Sequence, residues 1–231
     1  MNIWDVDKIY SLLKFLLRQN QSGSITVSNF FNAWNTEQNA YHSDLLGKWE
    51  KMNNNKTGAN TGLIMNETIM TQLAPFTIPG SIAISSGSAT KPDDFIYGLA
   101  RRLELNGNEF LVTKINHGQK WYVNNDVIDP PSVTDSCYYV LEYEDYYEVL
   151  PTTATGNLQL DYIAQPEDVK WGFTYDSQNR PVYNVGLSIQ PKWNVPTTIE
   201  ITKRTLTSFG VSYKDKDFTN FGKSNTVTGD S

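Results

Sequence analysis

The residues best suited to chemistry lie in one run, Glu142-Tyr143-Glu144-Asp145-Tyr146-Tyr147-Glu148. On a single strand Glu142, Glu144 and Tyr146 share a face, because successive side chains alternate. Paired carboxylates so placed could hydrolyse a glycosidic bond or hold calcium, with nearby tyrosines stacking on a sugar ring. Neither a glycine-bearing metal loop nor a second acidic strand motif accompanies the run. The plainer reading is a solvated strand face with its tyrosines turned inward. Asp93-Asp94 after Pro92 reads as a loop leading into a strand, not as a ligand pair.

Other reactive side chains are sparse. His42 and His117 are the two histidines and Cys137 the one cysteine. No two of them have the short spacing that sets two zinc ligands on one element, so they could form a metal site only by meeting in space. His117 falls in Asn116-His117-Gly118, which reads as a hairpin turn. His42 reads as part of a polar helix face. Cys137 has no base or helix start beside it and reads as a buried, inert thiol; a single cysteine also excludes an intrachain disulfide. Phosphate-loop, dinucleotide-fold, serine-elbow and zinc-protease motifs are all missing. The expectation is a chain with no catalytic residue, no metal and no cofactor. Its tyrosines point elsewhere. Tyr138, Tyr139, Tyr143, Tyr146 and Tyr147 are too many for one buried strand face, and tyrosine is enriched where subunits meet. Tyr143, Tyr146 and Tyr147, with Tyr213, Phe218 and Phe221 near the end, are the expected interface residues.

The elements carrying these residues change type along the chain. Ile3, Val6, Ile9, Leu13, Leu16 and Leu17 form a helical stripe. Thr26 can cap a second helix striped by Phe30, Trp34, Tyr41, Leu45, Trp49 and Met52. After a polar loop over 53–62, Asn66 to Ala74 reads as a short third helix ended by Pro75. From Phe76 the period becomes two. Strands are expected over Ser81–Ser85, Phe95–Leu105, Glu109–Ile115, Trp121–Val123, Cys137–Val149 and Leu158–Ile163, with Asn106-Gly107 as a hairpin signal. Asn194 and Thr197 compete to cap a last helix, with Pro196 in its first turn and Gly210 as its stop.

This order predicts an α+β fold: a helical bundle of two long N-terminal helices, a short third and one C-terminal helix, with an inserted, mostly antiparallel β subdomain. The expected boundaries are 1–75 for the first bundle segment, 76–192 for the insertion, 193–211 for the closing helix and 212–231 for an extended tail. A length of 231 residues suffices for such a core. The net charge of −6 disfavours non-specific nucleic-acid binding as the main task. No run of 18 apolar residues predicts a membrane span, and the acidic start Met1-Asn2-Ile3-Trp4-Asp5 does not read as a signal peptide.

Several segments, in order, resemble the head-to-tail connector proteins of tailed bacteriophages, the adaptor or ring proteins below the portal, especially those of crAss-like phages of Bacteroidetes. They are Asn32, Ala33, Thr36, Glu37 and Gln38 of the second helix; Thr71-Gln72-Leu73-Ala74-Pro75-Phe76; Lys91-Pro92-Asp93-Asp94-Phe95-Ile96-Tyr97; and Tyr147-Glu148-Val149-Leu150-Pro151. The clearest is Leu160-Asp161-Tyr162-Ile163-Ala164-Gln165-Pro166, then Trp171-Gly172-Phe173-Thr174 and Tyr183-Asn184. Phe209-Gly210-Val211 ends the likeness, which covers residues 25–211; the tyrosine-rich stretch and the tail depart from it. The resemblance implies a homo-oligomer, a twelvefold ring in the virion neck, made in the bacterial host cytoplasm. It would extend the DNA channel, DNA passing without specific binding, and join portal or neighbouring ring to tail proteins, with no catalytic site, cofactor or membrane. The alternative is a carbohydrate-binding or adhesin-type module using exposed tyrosines.

Overall fold

The structure, a computed structural model, describes residues 4–20, 26–54, 60–105 and 107–209. Its helices are α1 (Val6–Asn20), α2 (Val27–Asn54), α3 (Asn60–Leu73), α4 (His117–Asn124) and α5 (Val195–Ser208). Its strands are β1 (Thr77–Ile84), β2 (Ser88–Thr90), β3 (Phe95–Leu105), β4 (Asn108–Leu111), β5 (Thr113–Ile115), β6 (Tyr139–Glu142), β7 (Tyr146–Leu150), β8 (Gly156–Ala164), β9 (Phe173–Tyr175) and β10 (Pro181–Tyr183). The chain divides into two compact units. The first joins Met1–Pro75 to Pro166–Ser231; the second is Phe76–Gln165. Among the described residues no helix is long and apolar enough to cross a membrane.

Local chemistry starts the helices of the first unit. The Asp5 carboxylate accepts from the Lys8 amide at 2.9 Å, and the Thr26 hydroxyl accepts from the Asn29 amide at 3.2 Å, each filling an orphan donor of a first turn. Asn194, not Thr197, caps α5, accepting from the Thr197 amide at 2.9 Å, with Pro196 in the first turn. On α2 the buried positions Phe30, Trp34, Gln38, His42, Leu45 and Trp49 step by three or four, so two polar residues stand inside the core stripe. Gln38 Oε1 accepts from the Trp193 indole and Gln38 Nε2 donates to the Glu167 carbonyl. Asn35 pairs with both backbone groups of Val169. On α5 the buried face is Thr198, Ile201, Thr202, Thr205 and Leu206. Each of the three threonine hydroxyls donates to a carbonyl four residues back, and Thr202 Oγ1 also accepts from the Trp34 indole at 3.2 Å. Gln38, Asn35, the two indoles and the three threonines thus meet neutral partners, which offsets the cost of desolvating them. β9 and β10 pair antiparallel within this unit.

The second unit holds two four-stranded sheets, ordered β1-β8-β3-β4 and β2-β7-β6-β5. All pairs are antiparallel except β5 with β6. One apolar cluster takes side chains from both sheets, including Leu103 and Leu105 of β3, Val140 of β6, Tyr147 and Val149 of β7 and Leu158, Leu160 and Tyr162 of β8. The opposite face of the second sheet carries Ile115, Leu141 and Leu150, with Val123 of α4 packed on them.

The predicted bundle is corrected on several points. α1 has 15 residues and α2 has 28, so there are not two long N-terminal helices. The third helix starts at Asn60 and, with 14 residues, matches α5 in length instead of being short. Among the described residues the strands form three sheets. α4 stands where a hairpin turn and a strand were expected. Its cause is local: the Asn116 side chain accepts from the Gln119 amide at 2.9 Å while Gln119 Oε1 accepts from the Asn116 amide at 3.0 Å, a reciprocal capping box. Asn-x-x-Gln makes the same two bonds as the familiar Ser-x-x-Glu, so this helix was readable in principle. The Glu109–Ile115 run also splits. β4 pairs with β3 in one sheet, β5 with β6 in the other, and the chain changes sheet at Val112. The expected tail over 212–231 lies outside the described residues.

Candidate functional site

The acidic run is not one strand. Glu142 ends β6, Tyr146 begins β7, and the Tyr143 amide donates to the Tyr146 carbonyl across a tight turn. The three glutamates therefore diverge. Glu142 lies two residues past the core residue Val140 and opposite the core residue Tyr147, so it shares their inner face. Glu144 is exposed at the turn. Glu148 pairs with Leu141 of the outer face. There it accepts from Lys120 Nζ of α4 at 2.6 Å and from the Tyr143 hydroxyl at 3.0 Å. The shared face expected for Glu142, Glu144 and Tyr146 does not form, because the hairpin turn breaks the alternation.

Glu142 instead anchors an ion cluster. Its Oε1 accepts from Lys91 Nζ at 3.1 Å and from the Tyr147 hydroxyl at 3.3 Å. Its Oε2 accepts from Arg101 Nη2 at 2.8 Å and Lys114 Nζ at 2.7 Å. The partners come from separate strands and reach one place by alternation. Lys91 stands two residues past the core residue Ala89, Arg101 two before Leu103, and Lys114 opposite Val140. The side chains of Lys91, Arg101 and Glu142 are 9%, 14% and 24% exposed, whereas Lys114 is 57% exposed. Tyr147 lies between two cations: Lys91 Nζ is 4.9 Å from its ring centre and the Arg101 guanidinium 5.0 Å. Gly98 leaves the room, since a Cβ there would stand 2.6 Å from Arg101 Nη2.

The electrostatics follow from this packing. Desolvation pushes the Glu142 carboxyl up, but the Lys114 hydrogen bond, the Arg101 charge and the Lys91 hydrogen bond outweigh it and hold the group below its ordinary range. Glu142 is thus a bound anion with no proton to donate at neutral pH, and it lies on the face opposite Glu148. The paired-carboxylate geometry of a glycosidase does not form from these residues. Burial pushes the Tyr147 phenol up to about 12, which keeps it a neutral donor.

An open cavity of about 480 Å³ adjoins the cluster, lined by Lys114, Ile115, Asn116, His117, Gln119 and Glu142. His117 is the first residue of α4 and meets Tyr143 at 4.6 Å between ring centres. Tyr143 stacks on Tyr146 at 4.5 Å with the planes 6° apart, and Tyr146 keeps an exposed side. Tyr147 lies wholly inside the core. Tyr213, Phe218 and Phe221 lie outside the described residues. His42 is buried in the first unit, not on a polar face, and burial lowers its pKa to about 4. Cys137 is half-buried, not buried, and lies 3.4 Å from the Tyr139 hydroxyl. Among the described residues no three histidine, cysteine or acidic side chains converge as metal ligands.

Exposed apolar side chains form a second feature of each unit. In the second unit they are Trp121 and Tyr122 of α4, then Val127 and Ile128, 95% and 87% exposed. In the first unit they are Phe173, Tyr175, Val182, Val185 and Leu187 on and after the β9–β10 hairpin. Sequence reasoning missed both groups, and it missed Lys91, Arg101 and Lys114, whose partner Glu142 is 51, 41 and 28 positions away. Comparison of the chain with protein-family models finds no match, and comparison with curated proteins finds none.

Proposed function

We propose that this chain is a structural subunit of a tailed-phage virion, one copy in an oligomeric ring of the portal–tail neck. In that role it works by contacts between copies and extends the channel through which DNA passes. The observation that carries the reading is the exposed apolar surface on both units, at Trp121, Tyr122, Val127 and Ile128 and at Phe173, Tyr175, Val182 and Val185. Groups of this kind mark surfaces that another molecule covers. A closed ring needs two different contact surfaces on each copy, and two separate apolar groups supply that number. The ordered likeness to connector proteins adds the ring, its twelvefold order and its place between portal and tail. Electron microscopy and light scattering of the purified chain, alone and with the products of neighbouring genes, test this. Closed rings are the expected result. A monodisperse monomer under all these conditions overturns it.

A carbohydrate-binding role is the second reading, supported by the exposed rings of Trp121, Tyr122 and Tyr175. It predicts saturable binding on a glycan array that Trp121→Ala removes.

A further inference from the structure

The ion cluster of the second unit is out of balance. Lys91, Arg101 and Lys114 share one carboxylate, an excess of two positive charges, and among the described residues no second carboxylate comes within 4.0 Å of any of them. Lys91 and Arg101 are largely withdrawn from water, where a cation without matching negative charge is costly. The cluster is also short of acceptors: Arg101 Nε is buried and has no hydrogen-bond partner. Of the cluster, Lys114 and Glu142 line the adjoining cavity while Lys91 and Arg101 do not, and Ile115, the α4 cap Asn116, and His117 and Gln119 of its first turn complete the wall. The dipole of that turn adds to the positive potential there.

We propose that this cavity binds a phosphate monoester dianion, with Lys114 Nζ as the contact charge and Lys91 and Arg101 as the uncompensated field behind it. Charge narrows the class to dianions, and the phosphate monoester is the organic dianion that carries both charges on one group. A dianion cancels an excess of two, whereas a carboxylate or a phosphodiester, with one charge, leaves half of it. The volume of about 480 Å³ falls in the range of small-molecule sites, so an organic group on the phosphate has room. Glu142 has an unusual part in this arrangement. It holds the three cations together and competes with the ligand for them.

That competition gives a test independent of ring assembly. Backbone amide shifts of Lys114, His117 and Gly118 in the full chain are followed by NMR, in a phosphate-free buffer of low ionic strength. Inorganic phosphate, glycerol phosphate and a short DNA duplex are added in separate titrations. Glycerol phosphate and inorganic phosphate should give saturable shifts, and DNA weaker ones. Lys114→Gln should weaken binding about fivefold, the order of one charge contact screened by bulk water, as suits a side chain 57% exposed. Glu142→Gln should tighten it by a similar factor, an effect that a purely structural carboxylate would not produce. If Glu142→Gln fails to fold, the exposed Lys114→Gln variant decides alone. Absence of saturable shifts, an unchanged affinity in Lys114→Gln, a folded Glu142→Gln variant that binds no tighter, or stronger binding of DNA than of the monoester would each overturn the proposal.

Discussion

The two units handle most of their buried polarity by different means, although in the first the buried Trp171 indole donates to the Asp7 carboxylate at 3.0 Å. In the first, the indoles of Trp34 and Trp193 donate to a threonine hydroxyl and a glutamine amide, and Asn35 grips the backbone of Val169. These partners are neutral, and burial keeps His42 neutral as well. In the second unit the polar core end is ionic: one carboxylate, three cations and a phenol. Neutral pairs lose little on desolvation and respond little to salt. Ionic clusters lose more, and their balance depends on each member and on what binds from outside. The first arrangement suits a scaffold. The second suits a site.

The sharpest way to break this contrast is Glu142→Ala. It strands two largely buried cations, so the second unit should lose about 2–4 kcal/mol, below the upper range for buried pairs because the carboxylate is partly exposed. Hydrogen exchange of β6 and β7 with rising urea would measure it. A loss under about 0.5 kcal/mol would place the cluster with ordinary surface pairs.

Acid comes next and separates the units by pH. His42 has a folded pKa of about 4 against an ordinary 6.5, so the unfolded chain binds the extra proton first as pH falls. Stability should be whole above pH 6.5 and decline toward pH 4, by about 3 kcal/mol in total. Glu142, whose pKa is lowered from 4.5, contributes stability that is whole above that value and is lost only as pH falls below it. Tryptophan fluorescence reads the first unit, since Trp121 alone belongs to the second. Urea unfolding followed this way should steepen its pH dependence between 6.5 and 4, and His42→Leu should flatten it.

The smallest expected effect is Thr202→Val. It keeps the shape but leaves the Trp34 indole without its acceptor, at a cost of about 1–2 kcal/mol. Because both partners are neutral, the loss should be the same at low and high salt. A marked salt dependence would remove the contrast between the units.

Some of this was legible from neighbouring residues alone. The buried positions Val6, Ile9 and Leu13 of α1 follow the helical period, and the starts of α2 and α5 follow from Thr26, Asn194 and Pro196. Turn chemistry at Gly107, with φ of +79°, marks the β3–β4 hairpin. The sequence pattern leaves Gln38 out of the core stripe and puts His42 on a polar face because a stripe is read from apolar residues, and these two are polar members of it. α4 escaped notice because an asparagine followed by a glycine two positions later suits a turn as well as a helix start. The ion cluster carried no sequence signal at all.

What the sequence determined by itself is thus the starts of α2 and α5, the β3–β4 hairpin and the apolar stripe of α1, since those depend on groups within about four residues of one another. Only the tertiary structure decided that Glu109–Ile115 divides between two sheets, that Glu142 and Glu148 face opposite ways, and that cations from positions 91, 101 and 114 meet one carboxylate. Strand pairing and charge clustering are contacts between distant parts of the chain. Their energies exist only once the sheets have closed, so no local pattern of residue types encodes them.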